Sequence, residues 1–209
     1  MPTPIYHITH IRNLQSILHS GGLIANSSLK QQQTNYQDIA HGHIQDRRAL
    51  TRIPCAAGGF LHDYVPFYFA PRSPMLYAIH KGNVQGYSGE QSSIIYLVFE
   101  AEDIEALGLI FAFTDGHAVM AYADFYDDLE ALKFVIDWEL MDSKYWFDTQ
   151  DDPNRKFRRQ AEFLVHKFCP CSLIKEIGVI NSRIKAEAES ILQKLNFKIP
   201  VMDYYNWYY

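Results

Sequence analysis

The sequence contains no uncharged apolar run of about 18 residues, the length a helix needs to cross a bilayer, and Met1 to His10 carry neither the basic stretch nor the apolar segment of a secretion signal. A cytoplasmic protein without a membrane segment is the expectation. Cysteine is scarce: Cys55, Cys169 and Cys171 are odd in number, and the single Pro170 between the last two is not a zinc-ligand spacing. Reduced thiols and no metal are expected. His41 and His43 flank Gly42 without a cysteine or carboxylate at a supporting spacing, so they read as solvated loop histidines. No Gly-x-Gly-x-x-Gly follows a strand-like run and no Walker A sequence occurs, which argues against a Rossmann or P-loop enzyme. Nor is positive charge in excess. With 19 Lys and Arg against 24 Asp and Glu the chain carries −5, so any contact with nucleic acid must be local.

What is present is apolar and aromatic. Hydrophobic residues at 48% and charged residues at 21% place the chain among folded proteins, and one domain spanning residues 1–209 is expected. The 14 Tyr, 13 Phe and 3 Trp serve either a core or a base-stacking surface, and composition does not separate the two uses.

Ile11, Leu14, Ile17 and Leu18 recur at helical spacing, and Ser20-Gly21-Gly22 supplies the stop. Residues 26–51 are polar, include Gln31-Gln32-Gln33, and read as a long loop with a helical turn near residues 45–48. Residues 65–69 form a strand-like run, followed by Ser73-Pro74 where a helix N-cap and first residue would sit. Residues 94–99 and 109–113 read as central strands, and residues 124–134 as an acidic helix opened by Asp124. Short strands at 162–165 and 174–180, a helix over 183–195 and a closing strand at 198–202 complete the pattern. Strands and helices do not alternate regularly, which favours an α+β domain with a mainly antiparallel sheet.

Glu162 stands out because strand alternation in Ala161-Glu162-Phe163-Leu164-Val165 turns it to the face opposite Phe163 and Val165. An edge-strand ion pair and a cleft carboxylate are both consistent with that placement.

At this point the sequence resembles the DarT toxins, NAD⁺-dependent DNA ADP-ribosyltransferases of bacterial toxin-antitoxin systems. The resemblance covers nearly the whole chain. It is carried by Pro4-Ile5-Tyr6-His7-Ile8-Thr9-His10, Ile44-Gln45-Asp46-Arg47-Arg48 and Leu61-His62-Asp63-Tyr64-Val65-Pro66-Phe67-Tyr68-Phe69-Ala70-Pro71-Arg72-Ser73-Pro74-Met75-Leu76-Tyr77. It continues through Phe113-Thr114-Asp115-Gly116-His117, Gln160-Ala161-Glu162-Phe163-Leu164-Val165 and Trp207-Tyr208-Tyr209. It implies an ADP-ribosyltransferase-like split antiparallel sheet with peripheral helices, NAD⁺ as co-substrate, single-stranded DNA as acceptor and a macrodomain (DarG-like) antitoxin as partner. It places the catalytic glutamate on Glu162 and its partner arginine on Arg48. It puts the NAD contacts on His7, Ile8, Thr9, Ser16, Ile24, Arg48 and His117. Residues 26–51 correspond to the element that folds over NAD⁺.

Breaking the bond between ribose and nicotinamide builds positive charge on the sugar, as in glycoside chemistry. A glutamate holding the ribose 2′-hydroxyl would orient and stabilise that charge. Arg48 would stabilise a thymine losing its ring proton, but a guanidinium is a poor proton acceptor, so the base is left unassigned. Arg155, Arg158 and Arg159, with Lys156 among them, read either as phosphate contacts or as a solvated face. Met75, Tyr145 and Trp146 read as base contacts or as core. Taken as a functional carboxylate without a structural partner, Glu162 is expected to be removable without loss of stability. The rival readings are a related enzyme acting on RNA or protein and a non-catalytic nucleic-acid-binding module. Thymine is favoured over guanine as the modified base.

Overall fold

The computed structural model describes residues 2–32, 36–39, 41–84, 87 and 89–209; Gln33 of the glutamine run lies outside the described residues. Strands β1 (Pro4–His10) and β2 (Gly22–Ile24) flank helix α1 (Leu14–His19), and helices α2 (Asn26–Gln31) and α3 (Gly42–Leu50) follow. Strand β3 (Tyr64–Tyr68), helix α4 (Pro74–His80), strand β4 (Ile94–Glu100), helix α5 (Ala101–Ala106) and strands β5 (Phe111–His117) and β6 (Phe125–Tyr126) form the middle of the chain. Short helices α6 (Leu132–Val135), α7 (Trp138–Asp142) and α8 (Arg155–Arg158) lead to β7 (Ala161–His166), β8 (Phe168–Pro170) and β9 (Glu176–Val179). Helix α9 (Ser182–Lys194) and strand β10 (Val201–Asp203) close the fold. Among the described residues, no helix is long and apolar enough to cross a membrane.

The eight-stranded sheet has the order β10-β9-β4-β1-β3-β7-β5-β6, and every neighbouring pair except β9 with β10 is antiparallel. The architecture is thus the expected α+β type. Its two halves meet between β1 and β3, where the registered pair is Tyr6 with Tyr68, whereas β1 with β4 and β3 with β7 are registered along their lengths. This seam is where the sheet splits, and a cleft opens beside it.

Alternation along the strands sorts the side chains. Phe163 and Val165 of β7 face the main core with Ile5, Phe67, Phe99, Phe113 and the α9 residues Ile184, Ala188 and Leu192, whose four-residue spacing is one face of a helix. Leu164 faces the other way, onto Leu61, Tyr64 and Ala112. Ser73 caps α4 as its sequence suggests, its hydroxyl accepting from Leu76 N–H at 3.2 Å with Pro74 in the first turn.

Two stretches differ from the sequence expectation. Residues 26–51 contain the helices α2 and α3 rather than one turn. They escaped a periodicity reading because α2 has no buried residue and the buried residue of α3 is Arg48. Residues 124–134 do not form one acidic helix: Phe125 and Tyr126 pair with Thr114 and Phe113 as an edge strand, and the helical part, capped by Asp128, follows. Long-range pairing here overrides local helix propensity.

Candidate active site

Glu162 projects from β7 opposite Tyr68 of β3 and is 4% exposed. Its Oε2 accepts from Arg48 Nη1 at 2.7 Å. Its Oε1 accepts from the Ala118 backbone N–H at 3.3 Å and lies 3.5 Å from His117 Nδ1. The register of β5 against β7 shifts between Phe113 and His117, and such an irregularity re-aims the end of a strand, here placing His117 and Ala118 at the carboxylate. Thr114 Oγ1 accepts from Glu162 N–H at 3.1 Å and so ties β7 to that shifted stretch. Burial alone would push the Glu162 carboxyl up, but the Arg48 guanidinium and His117 outweigh it and hold the group down, at about 2. The Glu162 carboxylate is ionised at neutral pH, with its charge set against that of Arg48.

Around this pair lies a cleft of about 670 Å³, a volume suited to a ligand of dinucleotide size. His7, Ile8, Thr9, Ser16, Ile24, Arg48, His117 and Glu162 all line it, so the fold brings together every residue expected on the NAD side. His7 Nδ1 lies 2.9 Å from the Pro66 carbonyl. A carbonyl only accepts, so Nδ1 carries the proton and Nε2 is left as an acceptor. Desolvation pushes this imidazole down to about 4, which keeps it neutral. Thr9 Oγ1 accepts from Asn13 Nδ2 at 3.0 Å, and Ser16 donates to the Asn13 carbonyl at 2.9 Å. Asn13 thus organises this wall, a role sequence reasoning missed. Arg48 Nη2 is buried and has no hydrogen-bond partner among the described residues. An orphaned cationic donor beside a carboxylate, in a cleft of this size, fits a ligand that brings its own hydroxyl and phosphate acceptors.

A family model described as "ssDNA thymidine ADP-ribosyltransferase, DarT" matches residues 6–209. The chain belongs to the DarT family. It is 47% identical over 193 residues to a DNA ADP-ribosyl transferase of Thermus sp. (strain 2.9), which spans 92% of this chain and 88% of the relative. A solved structure of Thermus sp. 2.9 DarT in complex with ADP-ribosylated ssDNA matches with a TM-score of 0.92 at 44% identity, over 100% of this chain and 97% of that one. A second, in complex with NAD⁺, matches with a TM-score of 0.89 at 42% identity, over 100% and 98%. A more distant relative from Thermosipho africanus is a DNA ADP-ribosyl transferase-DNA ADP-ribosyl glycohydrolase fusion protein, 27% identical over 203 residues that make up 95% of this chain and 47% of the fusion. The fold is that of the DarT ADP-ribosyltransferases, and the chain is a DNA ADP-ribosyltransferase.

The residues expected to meet DNA in this DarT-family chain divide sharply. Met75 lines the cleft, with the Tyr68 hydroxyl 3.6 Å from its sulfur, and Tyr145 is 68% exposed. Trp146 is a correction. It is 2% exposed, its indole N–H donates to the Tyr209 hydroxyl at 2.7 Å, and it presents no face to a base. Arg159 is a second correction: it is 3% exposed and donates to the carbonyls of Leu140, Met141, Ser143 and Pro71, so it holds loops rather than phosphates. Arg158 is engaged by Asp152 at 2.7 Å and Asp137 at 3.0 Å. Arg155 donates to the Tyr145 carbonyl at 2.8 Å and is 4.0 Å from Asp152.

Lys156, the lysine of that basic run, lines the cleft together with Phe157 and has no ion-pair partner within 4.0 Å among the described residues. Its neighbour is fixed by a close approach, since a Cβ at Gly116 would meet the Phe157 ring at 2.3 Å. Tyr122, 60% exposed, lies 4.8 Å from that ring and also lines the cleft. Their signal was three-dimensional only, because Tyr122 lies 35 positions from Phe157 in the sequence.

Proposed function

We propose that the Arg48–Glu162 pair at the cleft is the catalytic centre for moving ADP-ribose from NAD⁺ onto a thymine of single-stranded DNA. NAD⁺ is the ADP-ribose donor. His7, Ile8, Thr9, Ser16, Ile24, Arg48 and His117 form its binding walls, with His7 Nε2 available as an acceptor. Glu162 holds the 2′-hydroxyl of the reacting ribose, and its charge opposes the positive charge that grows as nicotinamide leaves. His117 and the Ala118 N–H fix the rotamer of that carboxylate. The hydrogen bond to a hydroxyl is modest in the ground state and strengthens as the sugar becomes cationic, so Glu162 acts on turnover more than on affinity. Arg48 steadies the acceptor base as it becomes anionic, and its buried second nitrogen supplies the free donor.

Met75, Tyr145, Arg155 and Lys156 guide the DNA strand into the cleft, with Tyr122 and Phe157 as further stacking surfaces. The protein acts in the cytoplasm as the toxin of a toxin-antitoxin pair. Its counterpart is a macrodomain enzyme that removes the modification, a pairing supported by the Thermosipho africanus relative that joins a transferase and a glycohydrolase in one chain.

The observation that carries this reading is the buried Glu162 carboxylate, paired with Arg48 at 2.7 Å and flanked by His117 inside the cleft. Incubating the protein with NAD⁺ and defined single-stranded oligonucleotides and weighing the products tests it. An added mass of one ADP-ribose on a thymine-containing strand, absent from the same strand with thymine replaced, is the expected result. Modification of RNA or protein in place of DNA would overturn it.

A further inference from the structure

Helix α3 presents Arg48 to the site, and its apolar grip on the body is slight: Arg48 is its buried residue, and Ile44 packs only partly buried against the cluster that contains Leu61. Polar side-chain contacts hold it as well: Arg48 to Glu162, Arg47 Nη2 to the Val119 carbonyl at 2.7 Å and to the Met120 sulfur at 3.8 Å, and Gln45 Oε1 to His62 Nε2 at 2.8 Å. Gln45 lies three residues before Arg48, hence on the same helix face. His62 belongs to the body. It is 6% exposed in the turn Leu61–Asp63 that leads directly into β3, next to the fully buried Leu61 of the core packed on Leu164. Both His62 and Gln45 line the cleft.

We propose that His62 is a positioning residue for Arg48: through its hydrogen bond to Gln45 it sets the rotation of α3, so that the guanidinium stays in the cleft while substrate occupies Glu162. The Arg48–Glu162 contact cannot do this throughout a turnover, because a ribose hydroxyl competes for the same carboxylate. The His62–Gln45 contact involves neither reacting group and persists when the ion pair opens. Since the amide oxygen accepts, His62 Nε2 donates. Burial, together with the charges of Lys30 and Arg48, pushes the imidazole down to about 4, so this donor is neutral and constant at working pH.

This inference rests on Arg48 acting in the reaction, and the test separates the two. Steady-state kinetics of transfer to a single-stranded oligonucleotide, corrected for folded fraction, are compared for His62→Leu, His62→Gln, Gln45→Leu, the His62→Leu/Gln45→Leu double variant and Arg48→Ala. A displaced guanidinium is expected to lower kcat about ten- to hundred-fold in His62→Leu, with KM for NAD⁺ within about three-fold. His62→Gln, whose amide nitrogen reaches close to the position of Nε2, restores most of the rate. The double variant is no worse than either single one, because all three lose one contact. Should His62→Leu fail to fold, Gln45→Leu removes the same bond from the helix side and is expected to show the same loss. Turnover within two-fold of wild type in both single variants, or losses that multiply in the double, overturns the positioning role. Full activity of Arg48→Ala would instead overturn the function proposed for the site.

Discussion

Arg48 and Arg159 are buried to similar degrees, 9% and 3% exposed, and each keeps one nitrogen without a partner. They differ in what they face. Arg159 is caged by four backbone carbonyls from two distant segments, a set of fixed dipoles that no ligand can replace without unfolding the loops. Arg48 meets one carboxylate at the wall of an open cleft, a contact that a substrate hydroxyl can share. Burial of a charge therefore does not distinguish structure from chemistry here; the exchangeability of its partner does. The same contrast corrects the expectation that Glu162 has no structural partner. Removing it leaves Arg48 unpaired, so some stability is expected to be lost along with activity. Turnover per folded molecule, rather than melting temperature, becomes the discriminating measurement.

The largest expected effect lies on the cleft side. Glu162→Gln keeps the shape of the side chain and should lower transfer by about two to four orders of magnitude, with NAD⁺ affinity changed only modestly. Single-turnover rates with calorimetric NAD⁺ titration check this, and near-normal turnover would erase the distinction between the two arginines. On the scaffold side, Arg159→Met should cost about 3 kcal/mol or more of unfolding free energy, because several carbonyls lose their donor together. Its kcat per folded molecule should stay within about three-fold of wild type, and urea denaturation beside an activity assay reads both quantities.

Acid sharpens the comparison. His7 and His62 are held neutral, lowered from 6.5 to about 4. The unfolded chain takes up protons there that the folded chain refuses, so their contribution is complete above about pH 6.5 and is lost as pH falls towards 4. Glu162, lowered from 4.5 to about 2, continues the loss in the next window, from about pH 4.5 towards 2. Urea midpoints between pH 7.5 and 4 should fall less in His62→Gln than in wild type, and equal slopes would contradict the histidine assignment. The smallest effect belongs to the rim. Arg155→Ala with Lys156→Ala should weaken single-stranded DNA binding about five- to ten-fold at low salt and flatten the salt dependence by about one to two in slope. Arg158→Ala should leave that slope almost unchanged, since Asp137 and Asp152 already engage its charge.

Much of this was legible from local rules. The alternation of β7 put Glu162 opposite Phe163, Ser73-Pro74 opened α4, and the apolar spacing of α9 was visible. The placement of Arg48, His7 and His117 around Glu162 came from family resemblance, because no local pattern links residues 114 positions apart, the separation of Arg48 from Glu162. Trp146 and Arg159 were misjudged because their partners are remote: Tyr209 is 63 positions from Trp146, and Pro71 is 88 from Arg159. An arginine in a basic run looks solvated until the chain returns a carbonyl to it. Helices α2 and α3 were illegible for a different reason, since neither buries an apolar residue fully and so neither shows an apolar stripe to read.

The pairing of β7 with β3 sets Phe163 against Phe67 and Glu162 against Tyr68. A slip of one residue would swing the carboxylate into the aromatic layer of Phe69, Phe111 and Phe113, where Phe163 now packs or pairs. The side chains that make up that core cluster are apolar, so a mispaired strand would strand a charge at a cost of several kcal/mol. The carboxylate therefore serves as a proofreading mark during folding, admitting one alignment of its own strand. A leucine at this position would remove the mark as well as the charge, and the chain would be free to make errors that the native sequence forbids.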